Sequence, residues 1–175
     1  VLRLRQGRTS SVLVRYTNTT NVDQPAPLLE LRANTRIRLA EQASFSGAFN
    51  VESGIDFLAI ASDGPAGVLR PGQTGEQRIF FQTEPGEGGV DIQFSVNILD
   101  PQGATSVDWN AFKAAMRPST VPTDAWDAIF ANFLNEVGAT TGDYVRLLGA
   151  NATYLGNLGI RTADVLAAAR TKWNF

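Results

Sequence analysis

Residues 11–18, Ser-Val-Leu-Val-Arg-Tyr-Thr-Asn, have the two-residue period of a β-strand. This period puts Val12, Val14 and Tyr16 on one face of the strand and Arg15 on the other. Half of the stretch consists of β-branched or aromatic residues, which favour strands. The beginning of the chain is therefore predicted to fold as a strand with one buried face.

The same period recurs in short stretches up to about residue 105, each bounded by turn-forming residues. These stretches lie at residues 2–4, 28–31, 35–39, 55–61, 78–83 and 90–97. Between the last two, Glu-Pro-Gly-Glu-Gly-Gly at 84–89 is typical of a hairpin loop. About seven strands in this length predict an antiparallel, immunoglobulin-like β-sandwich over residues 1–105. Residues 40–54 are compatible with a long loop or with a broken strand.

From Asp108 onward the apolar residues recur with the period of an α-helix. Residues 106–175 are therefore predicted to form a subdomain of three to four helices, packed on the sandwich or on a neighbouring module. The predicted N-terminal caps are Asp108, Thr123, Thr140 or Thr141, and Thr162. The predicted apolar face of the second helix consists of Trp126, Ile129, Phe130, Phe133, Leu134 and Val137.

The composition excludes several kinds of chemistry. The 175 residues include no His and no Cys, which excludes histidine bases, Ser–His and Cys–His nucleophiles, the usual zinc sites and disulfides. There is no Gly-x-Ser-x-Gly motif and no phosphate-binding glycine loop. A Lys–Asn isopeptide cross-link within the predicted sandwich is excluded too, because residues 1–105 contain no Lys. We therefore expect a protein that is not an enzyme.

The charge is nearly balanced overall but uneven along the chain. A net charge of −2 gives no reason to expect nucleic acid as a partner. Residues 1–38 hold seven Arg and two acids, whereas residues 39–105 hold two Arg and nine acids. This asymmetry predicts cross-strand ion pairs or, alternatively, a basic patch for a polyanion. No apolar run approaches the length of about 18 residues needed to span a bilayer, so membrane insertion is not expected.

Two groups of residues are candidates for an interaction surface. The first is the region of Trp126, Phe130 and Trp173, for which ordinary core packing is the alternative. The second consists of Arg15, Arg36 and Arg38, which alternate with apolar residues and are expected to share a solvated sheet face.

Calcium and polysaccharide are the other ligands considered. No cofactor is expected except that calcium could bind oxygen ligands, although the EF-hand spacing is absent. The candidate ligands are Asp56, Asp63, Glu84, Glu87, Asp91 and Asp100, and solvated surface acids are the alternative. Aromatic side chains on the strands could stack on sugars, and the candidates are Tyr16, Phe45, Phe49, Phe57, Phe80, Phe81 and Phe94. Of these, Phe57, Phe80 and Phe94 fit core positions.

Two segments resemble a known family. Residues 11–18 end in Tyr-x-Asn and are followed by a turn and by Pro-Leu-Leu-Glu-Leu at 27–31. Val-Leu-Arg-Pro-Gly-Gln at 68–73 is similar to the Leu-x-Pro-Gly-Glu/Gln turn before that family's next strand, which falls here at 76–83. The strand half thus resembles the bacterial cell-adhesion-related and alpha-galactosidase-associated immunoglobulin-like modules. Residues 40–54 depart from the family pattern.

The helical half lies outside that module and looks like the helical segments that follow such sandwiches in large secreted bacterial proteins. The resemblance implies an extracellular spacer or adhesion module without catalysis. We therefore expect a structural module of an extracellular or cell-surface bacterial protein, whose partners are neighbouring domains or copies of itself. A carbohydrate-binding module and a calcium-stabilised adhesion repeat are the alternatives.

Overall fold

The computed structural model describes residues 8–45, 54–83, 91–117, 121–165, 168 and 172. Within these residues eight strands precede three helices. The strands are β1 (Thr9–Thr17), β2 (Gln24–Pro25), β3 (Leu28–Ala33), β4 (Ile37–Ala40), β5 (Gly54–Leu58), β6 (Val68–Leu69), β7 (Thr74–Thr83) and β8 (Phe94–Leu99). The helices are α1 (Trp109–Met116), α2 (Thr123–Glu136) and α3 (Thr141–Asn157).

The strands form small antiparallel sheets. One three-stranded sheet has the order β1-β7-β4, a second has the order β5-β3-β8, and β2 pairs with β6. The β1–β7 ladder is the longest, running from Thr9 opposite Gln82 to Thr17 opposite Thr74. The predicted antiparallel strands are therefore confirmed, although each sheet is small.

Both three-stranded sheets contribute to one apolar core. Val14 and Ile79 come from the first sheet, and Leu29, Leu31 and Phe57 come from the second. The face predicted from the alternation of residues 11–18 is the one that packs here. Burial of this face follows from the strand period, since alternate side chains point to opposite sides.

A second core joins the strands to α3. It consists of Ala26, Leu28, Leu58 and Ala66 from the strand part, with Val145, Leu148 and Ala152 from α3. The loop before β6 lies against the helix with almost no space between the backbones. A Cβ added at Gly67 would lie 1.9 Å from the carbonyl oxygen of Gly149. Glycine at position 67 is what permits this contact.

The helix boundaries follow the predicted capping residues closely. Asp108 accepts hydrogen bonds from the N–H groups of Asn110 and Ala111, as predicted for an N-cap. Thr140 and Asp143 form a reciprocal capping box at the start of α3.

Thr123 is an exception among the predicted caps, because it is the first residue of α2 itself. Pro122 occupies the cap position without a side-chain hydrogen bond. The predicted fourth helix is described only at residues 162–165, 168 and 172. The hydroxyl of the predicted cap Thr162 accepts from the N–H of Asp164 at 3.1 Å, and Ala168 N–H donates to the Asp164 carbonyl at 3.0 Å.

One predicted strand pairing is wrong. The Gly-rich stretch 84–89 predicts a hairpin, but β7 pairs with β1 and β4 while β8 pairs with β3. Both edges of β7 are already paired, so the chain between β7 and β8 connects the two three-stranded sheets. The stretch itself lies outside the described residues, as do the predicted strand at 2–4, residues 46–53, and therefore Phe49, Glu84 and Glu87.

Two predicted core positions are also wrong. Phe80 is only half-buried, because the register of β7 puts Ile79 and Phe81 on the core face instead. On α2, Leu134 is exposed although Trp126, Phe130 and Phe133 are buried. The buried face of α2 is therefore narrower than the apolar face predicted from the sequence.

Candidate interaction surface

Strand β8 lies at an edge of its sheet and exposes two large apolar side chains. Val96 is 43% exposed and Ile98 is 69% exposed, whereas Leu31 and Leu29 opposite them on β3 are buried. Directly opposed residues of an antiparallel pair share a face of the sheet. The apolar face of this sheet is therefore buried on β3 and continues onto exposed side chains of β8. We call Val96 and Ile98 the β8 edge patch.

The backbone at this edge is open as well. Within the described residues, β8 pairs with β3 and with no other strand. Charged residues and Pro commonly keep edge strands from pairing with another chain. The sequence of Phe94–Leu99 contains neither. Among the described residues, the edge thus combines backbone groups that pair with no further strand and an exposed apolar face.

A second apolar patch lies at the end of α3. Tyr154, Leu158 and Ile160 are all exposed there, and we call them the helix-end patch. Gly159 has φ of +81°, and the N–H of Ile160 donates to the carbonyl of Leu155 at 2.9 Å. This is the hydrogen bond of a Schellman turn, in which glycine takes the left-handed position. The turn holds Leu158 and Ile160 on the surface.

Arg15 and Arg38 share the outer face of the β1-β7-β4 sheet, as predicted, but they lie far apart. In the register of β7, Arg15 is opposite Glu76 and Arg38 is opposite Gln82. Six residues of strand separate these positions, which is about 20 Å. The structure therefore does not bring these two side chains into one basic cluster.

The three Arg residues predicted as an interaction surface lie in different surroundings. Arg15 forms an exposed ion pair with Glu76, Nε to Oε2 at 3.2 Å, which is one cross-strand pair of the kind the charge asymmetry predicts. Arg38 donates to Gln82 and places its guanidinium 5.6 Å from the centre of the Phe45 ring. Arg36 is exposed and lies just before β4.

Trp126 and Phe130 lie in a helical core. They are 5% and 3% exposed and pack with Phe133. The indole N–H of Trp126 donates to the Lys113 carbonyl at 2.9 Å, so its polar atom is also satisfied inside the protein. The two side chains therefore stabilise the helices and present very little accessible surface. Trp173 lies outside the described residues.

Glu41, in the loop after β4, is a carboxyl group with a raised pKa. Burial, together with the nearby Asp164 carboxylate, raises the pKa of Glu41 to about 7. Burial also raises the pKa of Tyr16 to about 12, and its hydroxyl donates to the Ile60 carbonyl at 2.9 Å. Sequence patterns give no signal for Glu41, because they do not show that Glu41 and Asp164 lie near each other in the fold.

An open cleft of about 260 Å³ lies beside the end of β1. Its polar lining includes Thr17, Thr20, Gln24, Asp100 and Gln102, and no aromatic side chain lines it. The cleft therefore lacks the stacking surface on which sugar rings usually bind.

No metal site is found in the part of the chain that the structure describes, where no three acidic side chains are placed to hold an ion together. None of the helices described has the length and apolar character needed to cross a membrane.

The β8 edge patch and the helix-end patch were not singled out from the sequence. The apolar alternation of residues 94, 96 and 98 was available, but alternation does not tell which part of a face another sheet covers. Comparisons of the chain with models of protein families, with curated protein sequences and with solved structures found no match.

Proposed function

We propose that this chain is a non-catalytic structural or adhesion module of a large extracellular or cell-surface bacterial protein. Its task is to make contacts with copies of itself or with neighbouring modules. The observation that carries this proposal is the β8 edge patch, where Val96 and Ile98 extend the apolar face of a strand that pairs only with β3 among the described residues.

The chemistry of this edge favours another β-strand as the partner. A strand added alongside β8 would satisfy its free backbone N–H and C=O groups and cover the β8 edge patch. Two copies related by a two-fold axis could pair β8 with β8, because an isologous contact uses the same surface on both copies. The contact needs no charged group, which agrees with the uncharged sequence of β8.

The proposal includes an immunoglobulin-like β-sandwich for the strand part. It is supported by the shared apolar core of the two three-stranded sheets. It is also supported by the resemblance of residues 11–31 and 68–83 to bacterial immunoglobulin-like adhesion modules. An extracellular location follows from that resemblance.

Self-association through β8 can be tested by sedimentation velocity over a range of protein concentrations. The wild-type chain is expected to associate as its concentration rises, and Ile98→Lys is expected to stay monomeric. Val22→Lys is the matched control, because Val22 is also exposed and apolar but lies in a loop. A wild type that is monomeric at every concentration, or an Ile98→Lys variant that associates equally, would contradict self-assembly through this edge.

The location can be tested by immunoblotting fractions of the source cells with an antibody against this chain. A band far above 18.8 kDa in the surface or medium fraction is the expected result. A cytosolic band near 18.8 kDa would contradict a module of a large surface protein.

A further inference from the structure

Three side chains from different parts of the helical region meet at α3. Asn151 lies within α3 and is 2% exposed. Its Oδ1 accepts a hydrogen bond from Lys172 Nζ at 2.8 Å. The same Nζ donates to a carboxylate oxygen of Glu136, the last residue of α2. An amine, a carboxamide and a carboxylate are therefore in contact.

The amide nitrogen of Asn151 is the unusual atom of this group. Nδ2 is buried and has no hydrogen-bond partner, whereas buried amides ordinarily use their donors. The amide cannot simply be turned round, because Nδ2 would then face the Lys172 ammonium, and both groups are donors. The lysine thus fixes an orientation that leaves the NH₂ group unsatisfied.

We propose that Lys172 and Asn151 form an intramolecular isopeptide bond, with Glu136 as the proton carrier. This inference goes beyond the proposed function and does not depend on it. The sequence excludes such a cross-link within residues 1–105, which lack Lys, but both Lys of the chain lie in the helical part.

The reaction balances without an oxidant or a cofactor. The Glu136 carboxylate takes a proton from the Lys172 ammonium, and the neutral Nζ attacks Cγ of Asn151. Glu136 then returns that proton to Nδ2, the Cγ–Nδ2 bond breaks and ammonia leaves. The second proton, which Nζ loses as it becomes an amide nitrogen, passes to the Glu136 carboxylate. The C–N bond formed replaces the C–N bond broken, so one amide becomes another and no electrons are gained or lost.

The surroundings suit each of these roles. The buried amide is shielded from water, so water does not compete with Nζ for attack on Cγ. The Glu136 side chain is 40% exposed and that of Lys172 is 25% exposed, which leaves a path for ammonia to escape. Departure of the NH₂ group also removes the buried donor that has no partner.

The test is the intact mass of the purified full chain, measured under denaturing conditions. The expected mass is lower than that of the sequence by one ammonia. Trypsin cuts after Arg and free Lys, so the cross-link should yield a branched peptide that joins residues 147–161 to residues 171–175. Fragmentation should place the branch at Asn151 and Lys172.

Two results would overturn the proposal. The full sequence mass, with cleavage after Lys172, would mean that the three side chains form only a noncovalent ion pair. Loss of ammonia without the branched peptide would mean that another residue, such as an Asn cyclising on the backbone, is the source.

Variants assign the roles of the three residues. Lys172→Arg keeps the positive charge but has no nucleophilic amine, so it should retain the full mass. Glu136→Gln should also retain the full mass, because it cannot accept the proton, and cross-linking in this variant would rule out the role of Glu136. Glu76→Gln is the matched control, since it removes a carboxylate from an exposed ion pair elsewhere and should still lose ammonia.

Discussion

Asn18 follows β1, and its side-chain amide makes two hydrogen bonds as a donor and two as an acceptor, one of them to β6. Nδ2 donates to the carbonyls of Val22 and Leu69, each at 2.8 Å, and Oδ1 accepts from both the N–H and the hydroxyl of Thr20. Asn18-Thr19-Thr20 has the pattern of an N-glycosylation tripeptide, and residues 11–18 are predicted as a strand followed by a turn. The turn is confirmed, and the buried amide is not accessible to a glycosylating enzyme.

Asn18→Asp should destabilise the protein by about 3 kcal/mol, because a carboxylate with nearly the same shape would face two carbonyl oxygens. Asn21→Asp makes the same chemical change at an exposed position and should stay within about 0.5 kcal/mol of the wild type. Urea unfolding measures both. Equal stability of the two variants would show that the Asn18 hydrogen bonds contribute little.

Glu41 should make stability depend on pH in a range where carboxylates usually do not titrate. Its folded pKa of about 7 lies above the ordinary 4.5. Between these values the unfolded chain releases the proton and the folded chain keeps it, so stability falls as pH rises. The chain has no His, the side chain that ordinarily titrates in this range.

The melting temperature should therefore be higher at about pH 5 than at about pH 7.5. Glu41→Gln should remove most of this difference. Below this range the trend should reverse, because hydrogen bonds from Arg32 and from Thr140 lower the pKa of Glu30 and of Asp143, and that stabilisation is lost on protonation. A wild type with the same melting temperature at both pH values would contradict the burial of Glu41.

At the scale of elements, the contact between the loop before β6 and α3 depends on Gly67. A Cβ at position 67 would collide with the backbone of Gly149, whereas a Cβ at position 149 would lie 3.5 Å from the Gly67 carbonyl, an ordinary contact. Gly67→Ala should therefore cost about 1–3 kcal/mol through overpacking. Gly149→Ala should be neutral or stabilise by up to about 1 kcal/mol, because Ala favours the helix.

Thermal unfolding followed by circular dichroism compares these two variants directly. The opposite order of stability would mean that the loop and the helix can separate without cost. A Gly67→Ala variant that is as stable as the wild type would lead to the same conclusion.

The elements themselves could be predicted well, because their signals are local. Asp108 and Thr140 begin helices through hydrogen bonds within a few residues. The pairing of strands could not be predicted: the Gly-rich stretch 84–89 permits either a hairpin or a crossing between sheets. The β8 edge patch was missed for a related reason, since exposure at Ile98 depends on where the other sheet ends.

For the whole molecule, the sequence change near residue 105 is not a boundary between independent cores. Leu28 and Leu58 pack against Leu148 of α3. Ala163, far along the helical half, belongs to the core of the two sheets, and its carbonyl accepts a hydrogen bond from the N–H of Leu58 at 3.0 Å. A change of apolar period marks a change of secondary structure, but only long-range packing decides which parts fold together.

The strands and the helices should therefore unfold in one cooperative transition. All three Trp lie in residues 106–175, so Trp emission follows the helical half, and hydrogen exchange of peptides from β1 and β7 follows the strands. In one urea series the two probes should give the same midpoint. If urea changed the Trp emission while the amides of β1 and β7 stayed protected from hydrogen exchange, the two halves would be independent domains.

Leu148→Ala tests the core that joins the two halves. It should cost about 2–5 kcal/mol, as for other buried leucines, and it should lower the midpoint of both probes together, because Leu148 contacts the strand part from within α3. Leu134→Ala is the matched control on the exposed side of α2 and should change either midpoint little. If Leu148→Ala lowered only the Trp midpoint, the packing of α3 on Leu28 and Leu58 would not couple the sheets to the helices, and the chain would consist of two folding units that meet near residue 105.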